Sequence, residues 1–478
     1  MAPENQPADQ PADQPAWVQD AVFYQIFPER FANGDPGNDP PGTVPWDSLP
    51  TRENFFGGDL QGILDHVDHL VELGATALYL TPVFTARSSH KYDTCDFLAV
   101  DPAFGSASLL RKLVDACHGR GVRVVLDAVF NHCGDGFWAF QDVVAHSAAS
   151  PYADWFQDLS YPVEENPPSY QTCGGAAFLP KLNLLNREVR EHLLHVARYW
   201  LESCDIDGWR LDVPWKAPFD FWQEFRAAVK AVKPEAYIVG ETWRDTVHWL
   251  SGDTCDGIMN YPLRDCILDY CARDTMDAED FAYFAARLRS VHGSADALNL
   301  NLLGSHDTPR LLTNCGGNVH RARLATVLQF TLPGVPMVYY GDEIGMEGEN
   351  DPDCRRTMCW DPARWNQEMY ATIRTLASLR RNYPALRRGS VESLRVFNGL
   401  YAFRRCAPEG NLVVVTNPRR SLPNVAIPCG ETAAPNVQRT WRDLLSGRSF
   451  EQSGSSIHFD VVSEQSAYVL VPMEQANG

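Results

Sequence analysis

The stretch DGWRLDVPWK, residues 207–216, places charged residues inside an apolar segment. Apolar side chains alternate with Arg210 and Asp212 at the two-residue period of a β-strand, so the charged pair shares one face. That face either meets water or belongs to a buried site that supplies partners for both charges. A buried Arg210–Asp212 ion pair that only packs the interior is a third reading, which this segment alone leaves open.

Seven further apolar runs resemble this one in length and alternate with amphipathic segments, such as 59–73 and 109–117, that have helical spacing. Repeated strand and helix pairs of this kind predict an α/β fold, a closed (β/α)8 TIM barrel whose parallel strands are buried on both sides. The eight runs are AVFYQIF (21–27), ALYL (77–80), VRVVLDAVF (122–130), GWRLDV (208–213), YIVGE (237–241), GIMNY (257–261), LNLNLLG (298–304) and PMVYYG (336–341).

The chain also contains segments that do not follow this alternation. Repeated Gln-Pro-Ala-Asp at the N-terminus predicts a disordered tail, and a Pro-, Gly- and aromatic-rich stretch after the third strand predicts a small inserted subdomain. Short β-branched runs near the C-terminus predict an all-β sandwich. The predicted boundaries are a tail at 1–16, a barrel at 17–131 and 181–387, a subdomain at 132–180 and a sandwich at 388–478.

The composition restricts the class of partner. The 478 residues carry a formal net charge of -20, which disfavours nucleic acid and anionic membrane surfaces, so a neutral small molecule is the expected substrate. The thirteen cysteines are scattered and include no Cys-x-x-Cys pair, which favours reduced thiols. With no apolar run of membrane-spanning length and no signal-like N-terminus, we expect a cytoplasmic protein.

Acidic residues follow three of the predicted strands. Asp212, Glu241 and Asp307 come at the carboxyl ends of the fourth, fifth and seventh strands. Because parallel barrel strands end on one rim, where barrel enzymes build their sites, these three carboxylates are predicted to converge. The third strand ends at the same rim as LDAVFNH (126–132).

Taken in order, LDAVFNH (126–132), GWRLDV (208–213), GETW (240–243) and GSHDTPR (304–310) resemble the signature segments of the α-amylase family of glycoside hydrolases. As a set these motifs are specific, whereas any one alone would be weak. The resemblance runs from residue 17 to the C-terminus. Further segments narrow it to the neopullulanase, cyclomaltodextrinase and maltogenic amylase group: PERFANGDPGND (28–39), FFGGDLQGI (55–63), HKYDTCDF (90–97), LPKLN (179–183) and YYGDEIGMEGENDPDCRR (339–356).

This resemblance implies a catalytic role for each acid. Asp212 matches the family's nucleophile, Glu241 its acid/base and Asp307 the acid that grips sugar hydroxyls. Retaining cleavage of a glycosidic bond uses two carboxyl groups about 5–5.5 Å apart, one ionised and one protonated. We expect the charge of Arg210 to keep Asp212 ionised, and Glu241, crowded by Asp307, to hold its proton longer. Asp127 is interpreted as structural.

The resemblance also implies binding residues and a metal. An oxygen-rich loop matches positions that bind Ca²⁺ in the group, and oxygen is the ligand type this cation prefers. The alternative is a metal-free loop, since Asn, Asp, Gly and Pro are turn formers. The expected substrate-binding residues are Tyr92, His132, Arg210, His306, Arg310, Trp215 and Lys216, and the expected Ca²⁺ ligands are Asn33, Asp35, Asn38, Asp39, Gly57 and Asp59.

The implied activity is hydrolysis of α-1,4 links in maltooligosaccharides, with cyclodextrins and pullulan as further substrates and some transglycosylation. Two features differ from the group: no N-terminal β-domain precedes the barrel in this sequence, and Trp215-Lys216 stands where the group has Asn-Glu. Monomer and homodimer both remain open, as does a glucosyltransferase or isomerase acting on trehalose or sucrose. A barrel retained only for binding is the non-enzymatic alternative.

Overall fold

The eight predicted apolar runs form a closed parallel barrel in the computed structural model, which describes residues 14–244, 246–430 and 439–473. Its strands follow one another in the order β1, β2, β5, β6, β7, β8, β9 and β10. They are β1 Phe23–Ile26, β2 Ala77–Leu80, β5 Arg123–Ala128, β6 Gly208–Leu211, β7 Tyr237–Thr242, β8 Gly257–Asn260, β9 Leu300–Leu302 and β10 Val335–Tyr339; the hairpin strands β3 Phe84–Ala86 and β4 Thr94–Val100 lie outside the barrel.

The barrel strands carry near-continuous apolar sequence because both of their faces are buried, as is usual for parallel strands. Trp209 and Leu211 of β6 are fully buried, and the Arg210 between them is equally buried. Strand β6 pairs with β5 through Asp127 opposite Arg210, so the register itself brings an aspartate alongside the arginine.

Helices separate most of the barrel strands. The predicted helix at 59–73 is interrupted: Asp59 caps α2, and His66, with φ of -110° and ψ of 14°, ends it and precedes α3. The second predicted segment, 109–117, lies within α4, which Ser106 caps. The helices are α1 Pro28–Phe31, α2 Leu60–Asp65, α3 Val67–Leu73, α4 Ala107–His118, α5 Trp138–His146, α6 Arg187–Cys204, α7 Phe219–Val232, α8 Tyr261–Cys271, α9 Ala278–His292, α10 Leu311–Asn314, α11 Val319–Thr331, α12 Gln367–Asn382 and α13 Pro384–Arg388.

Two of the predicted irregular segments contain helical structure. Residues 1–13 of the predicted tail lie outside the described residues, and a 3-10 helix at Ala16–Asp20 begins at the last tail position. The predicted insertion at 132–180 is largely loop but contains α5, where Phe140 and Val143 are buried. The apolar spacing of Ala139, Phe140 and Val143 on one helical face therefore outweighs the turn-rich composition around them.

The C-terminal domain is all-β, as predicted. Its strands form one continuous antiparallel sheet around an apolar core that includes Trp441, Phe450 and Phe459. The rings of Phe450 and Phe459 lie 4.4 Å apart. The strands are β11 Ser390–Phe397, β12 Leu400–Ala407, β13 Gly410–Asn417, β14 Leu422–Pro428, β15 Arg439–Asp443, β16 Ser449–Ser453, β17 Ser456–Val462 and β18 Ser466–Pro472.

The described chain divides into two compact units. The first comprises 14–18, Phe23–Met259 and Asn350–Trp360, and the second Gln19–Val22, Asn260–Glu349 and the rest from Asp361. Within the ranges that the structure describes, no helix is both long and apolar enough to cross a membrane.

We expect the contact between β6 and β7 to tolerate no side chain at Gly208. A Cβ there would lie 2.1 Å from the Tyr237 carbonyl oxygen, a backbone atom that cannot move without parting the strands. Gly208→Ala should lower the free energy of unfolding by about 1–3 kcal/mol or more, measured by denaturant-induced unfolding. Gly240→Ala on β7 is the control, since its nearest neighbour is the movable Cys255 sulfur at 3.0 Å. Equal effects of the two substitutions would contradict this account.

Candidate active site

One guanidinium organises the charged face of β6. Arg210 Nη1 donates to Asp127 Oδ1 at 2.9 Å and to Asp212 Oδ1 at 2.8 Å, and Nη2 lies 3.1 Å from Glu241 Oε2. All four side chains are buried, Asp212 the least at 7% exposure. The predicted buried charges of the opening segment are therefore present, and their partners come from three neighbouring strands.

Burial opposes the charge of Arg210 at two of these carboxyl groups. Burial raises the pKa of the Asp212 carboxyl well above its usual range, although the Arg210 guanidinium opposes the rise. Burial likewise raises the pKa of Asp127. The expectation that Arg210 keeps Asp212 ionised stays a prediction: the guanidinium favours the anion, but Asp127 and Glu241 share the same positive charge.

Glu241 is held by groups on both of its oxygens. The Val213 backbone N–H donates to Oε2 at 2.9 Å, and Trp243 Nε1 donates to Oε1 at 2.9 Å. Val213 reaches this position with φ of 36° and ψ of 51°, in the left-handed region that a β-branched residue avoids. Strain of this kind costs on the order of 1–3 kcal/mol and persists where the surroundings enforce it.

Asp127 connects the guanidinium to two tyrosines. Its Oδ2 accepts from the Tyr79 hydroxyl at 2.6 Å and from the Tyr92 hydroxyl at 2.9 Å. Tyr92, predicted to bind sugar, is thereby tied to the same cluster as Arg210, which supports the structural reading of Asp127. Tyr79 is not among the predicted site residues; its only signal in the sequence is a hydroxyl-bearing residue within an otherwise apolar, buried strand.

His132 lies at the end of the third barrel strand, buried to 2% exposure and paired with Lys181 in an antiparallel bridge. Its Nδ1 lies 3.2 Å from the Asn131 amide nitrogen. Burial lowers the pKa of His132 to about 4, although contact with the Tyr92 backbone opposes the change. The imidazole is therefore neutral near pH 7 and retains an N–H donor.

Trp215 and Lys216 lie in the 3-10 helix Pro214–Lys216 of the first unit, whereas His306, Asp307 and Arg310 belong to the second unit. His306 Nε2 lies 3.0 Å from Asp307 Oδ2, just beyond the end of β9. Arg310 is fully buried, donates to the Tyr340 carbonyl at 2.6 Å and pairs with Asp342 at 3.1 Å. These contacts favour a supporting role for Arg310 over direct sugar binding. The convergence of Asp307 with the acids of the first unit stays a prediction.

The predicted Ca²⁺ loop is closed around one carboxylate. Asp59 accepts from the backbone N–H groups of Gly34, Asp35 and Gly62 and from the Asn38 amide, while the Asn33 amide donates to Asp39 at 2.7 Å. A Cβ at Gly57 would meet the Asp39 carboxylate and the Asn33 amide, so this glycine is required for the close packing of the loop.

The donor set of this loop fits an oxygen-binding cation. The amide oxygens of Asn33 and Asn38 are buried and have no hydrogen-bond partner among the described residues. Unpaired buried oxygens beside carboxylates are what a hard cation would satisfy. Over those same residues, no group of three or more His, Cys, Asp or Glu side chains is placed to hold a metal. A cation here would therefore depend on amide and backbone oxygens as well.

A parallel barrel with acids clustered at its strand ends is the arrangement of a barrel enzyme, and comparison with known proteins identifies its family. A family model described as the α-amylase catalytic domain matches residues 25–379, so the chain belongs to the α-amylase family. It is 50% identical to the cyclomaltodextrinase of Geobacillus thermopakistaniensis over 445 residues, covering 92% of this chain and 75% of that protein.

Two further relatives support the same group. Neopullulanase 2 of Thermoactinomyces vulgaris is 46% identical over 438 residues, which cover 90% of this chain and 74% of that protein. Among solved structures, the cyclic α-maltosyl-(1→6)-maltose hydrolase of Arthrobacter globiformis is 45% identical with a TM-score of 0.87. That match covers 96% of this chain and 100% of the other.

The lowered pKa of His132 predicts a loss of stability in acid. In the unfolded chain the His132 imidazole is protonated near pH 6.5, whereas in the folded protein it is protonated near pH 4. The contribution of neutral His132 to the free energy of unfolding is fully present above pH 6.5 and falls by roughly 3 kcal/mol as the pH drops to 4. We expect His132→Gln to flatten this part of the stability profile, measured as unfolding midpoints between pH 7 and 4.5. The exposed His146→Gln is the control, and an unchanged slope in His132→Gln would refute the assignment.

Proposed function

We propose that this protein is a retaining α-glucan hydrolase that cleaves α-1,4 links of maltooligosaccharides. The observation that carries the proposal is that Asp212 and Glu241 contact the two terminal nitrogens of the Arg210 guanidinium. Two carboxyl groups held by one guanidinium are close enough to act on opposite sides of one glycosidic bond, as retaining cleavage requires. Family membership supports the same assignment.

In the proposed reaction an Asp212 carboxylate oxygen bonds to the anomeric carbon. The carbon–oxygen bond breaks, and its electron pair goes to the leaving oxygen, which takes the proton of Glu241. Glu241, now a carboxylate, then accepts a proton from water as the water oxygen bonds to the anomeric carbon and Asp212 leaves. The Val213 N–H and the Trp243 indole keep Glu241 oriented through both steps.

Neutral groups around the acids would bind the sugar being cleaved. His132 is neutral and can donate to a hydroxyl, and the Tyr92 ring offers an apolar face for the pyranose. We assign Asp307 and His306 to hydroxyls of the same sugar, which the resemblance in sequence supports. The thirteen free thiols support action in a reducing compartment, the cytoplasm.

The relatives suggest which substrates to compare. Cyclodextrins and pullulan follow from the names of the cyclomaltodextrinase and neopullulanase. Cyclic α-maltosyl-(1→6)-maltose belongs beside them because this chain spans the full length of the hydrolase named for that sugar. Product analysis on these substrates, with maltose and sucrose added, separates hydrolysis from the glucosyltransferase or isomerase alternative, which would yield mainly a new disaccharide.

Asp212→Asn should abolish hydrolysis of maltotriose, because the amide cannot form the glycosyl intermediate. We expect kcat/KM to fall on the order of 10⁴-fold or more, measured as glucose and maltose released. Asp68→Asn on α3, with its side chain 72% exposed, is the matched control and should stay at wild-type activity. Near-normal activity of Asp212→Asn would end the proposal and favour a binding protein.

We also propose that Ca²⁺ binds the loop of Asn33, Asp35, Asn38, Asp39, Gly57 and Asp59. The unpaired amide oxygens of Asn33 and Asn38 support this assignment. The ion would supply positive charge beside Asp39 and Asp59 and so stabilise the loop; no step of the hydrolysis depends on it.

Calcium should raise the unfolding temperature of the chelator-treated protein. At a hundredfold excess over Kd, binding to the folded state alone adds about 2.7 kcal/mol. Trp46 lines the same cavity as Asn33 and Asp39, so Tb³⁺ in the loop should emit when Trp is excited. Both signals should weaken in Asp39→Asn but persist in Asp68→Asn. No effect of Ca²⁺ on thermal unfolding together with no Tb³⁺ emission would establish a metal-free loop.

A further inference from the structure

Helix α9, which belongs to the second unit, presents two aromatic rings to solvent. Tyr283 is 65% exposed and Phe284 is 44% exposed, and the centroids of their rings lie 5.4 Å apart. Large aromatic side chains are usually well buried, and those on a protein surface are enriched where proteins bind one another. The two rings therefore indicate a contact surface on this helix.

The opposite face of α9 is firmly packed. Phe281 and Ala285 are buried there. The Phe281 ring stacks on Tyr270 of α8 at 4.7 Å and meets the Tyr401 ring of β12 edge-on at 5.6 Å. Because α9 is fixed from behind, its outer face loses little conformational freedom when a partner binds to it.

The outer face of α9 carries segregated charges on either side of Tyr283. At 3.6 residues per turn, a set of exposed residues lies within about 60° of Tyr283 around the helix axis. Acidic residues precede Tyr283 and a basic residue follows it. The set comprises Glu279, Asp280, Ala286, Arg287 and Ser290; together with Tyr283 we call it the α9 face.

This order of charges is self-complementary about a twofold axis. Glu279 lies four residues before Tyr283, and Arg287 lies four residues after it. When a second copy of α9 lies antiparallel on the first with Tyr283 at the axis, Glu279 of each copy faces Arg287 of the other. Within the described part of the chain, neither Glu279 nor Arg287 forms an ion pair that would compete.

Stabilisation of α9 itself explains only part of this pattern. Acidic residues in the first turn, Glu279 and Asp280, interact favourably with the helix dipole. Arg287 precedes the basic residues of the last turn, and the dipole gives no reason for an exposed ring at Tyr283. The aromatic centre and the position of the arginine are therefore left for a partner to explain.

We propose that the α9 face is the contact surface of a homodimer, in which two copies of α9 pack antiparallel about a twofold axis at Tyr283. An aromatic centre with arginine beside it is the composition of residues that dominate binding energy in protein interfaces. One helix face from each copy buries less than the roughly 1,600 Å² of a standard interface, so Kd is expected on the order of 1–100 µM. The proposal does not depend on the reaction that the protein catalyses.

Reversal of the facing charges tests this pairing. Sedimentation velocity is measured over a concentration series that spans the expected Kd, for wild type, Glu279→Arg, Arg287→Glu and the variant with both substitutions. Because twofold symmetry repeats each contact, a single reversal places two like-charged pairs in the interface, and Kd should rise on the order of 10-fold or more. The double variant restores opposite charges and should return to within about threefold of the wild-type Kd.

Glu202→Arg, a charge reversal at an exposed position of α6, is the matched control and should leave Kd unchanged. All variants should unfold at the wild-type temperature, because substitutions at exposed positions have small effects on stability. A wild type that is monomeric throughout the series would overturn the proposal and leave the α9 face to a different partner, such as a glucan. Single reversals that leave Kd unchanged, or a double variant that stays monomeric, would overturn the antiparallel pairing.

Discussion

The interaction on which the site depends is the sharing of one buried guanidinium among three carboxylates. Arg210 contacts Asp127, Asp212 and Glu241, so one positive charge is shared among three carboxyl groups. Burying several ionised carboxylates around one cation is unfavourable, and burial raises the pKa of both Asp127 and Asp212. An enzyme that needs one ionised and one protonated acid can obtain both states from such a cluster.

Fold and chemistry meet in the short segment after β6. The parallel register brings Asp127 beside Arg210, and the chain then bends at Val213 so that its N–H faces Glu241. The strained backbone stores energy that the surrounding barrel must offset. The chain continues into Trp215, so the stretch from Arg210 to Trp215 places the positive charge, orients an acid and lines the neighbouring cavity.

Much of this arrangement could be predicted from sequence. The eight apolar runs predict the barrel strands because parallel strands buried on both faces are nearly continuous in apolar residues. Arg210 indicates a buried site because the interior of such a strand rarely carries a charge. Tyr79 and the Val213 conformation could not be predicted, since neither hydroxyl partners nor a positive φ at a β-branched residue leaves a pattern in the chain. The number of carboxylates around Arg210 could not be predicted either, because sequence spacing shows one neighbour, Asp212, where packing supplies three.

The left-handed backbone conformation of Val213 lowers the stability of the fold but orients the N–H that holds Glu241. Glycine adopts this backbone conformation without steric cost, so it would relieve the strain at position 213. The more flexible backbone would, however, hold the N–H that donates to Glu241 less firmly. A stiff aliphatic residue held in a conformation that it disfavours therefore trades some stability of the fold for a fixed direction of one N–H group.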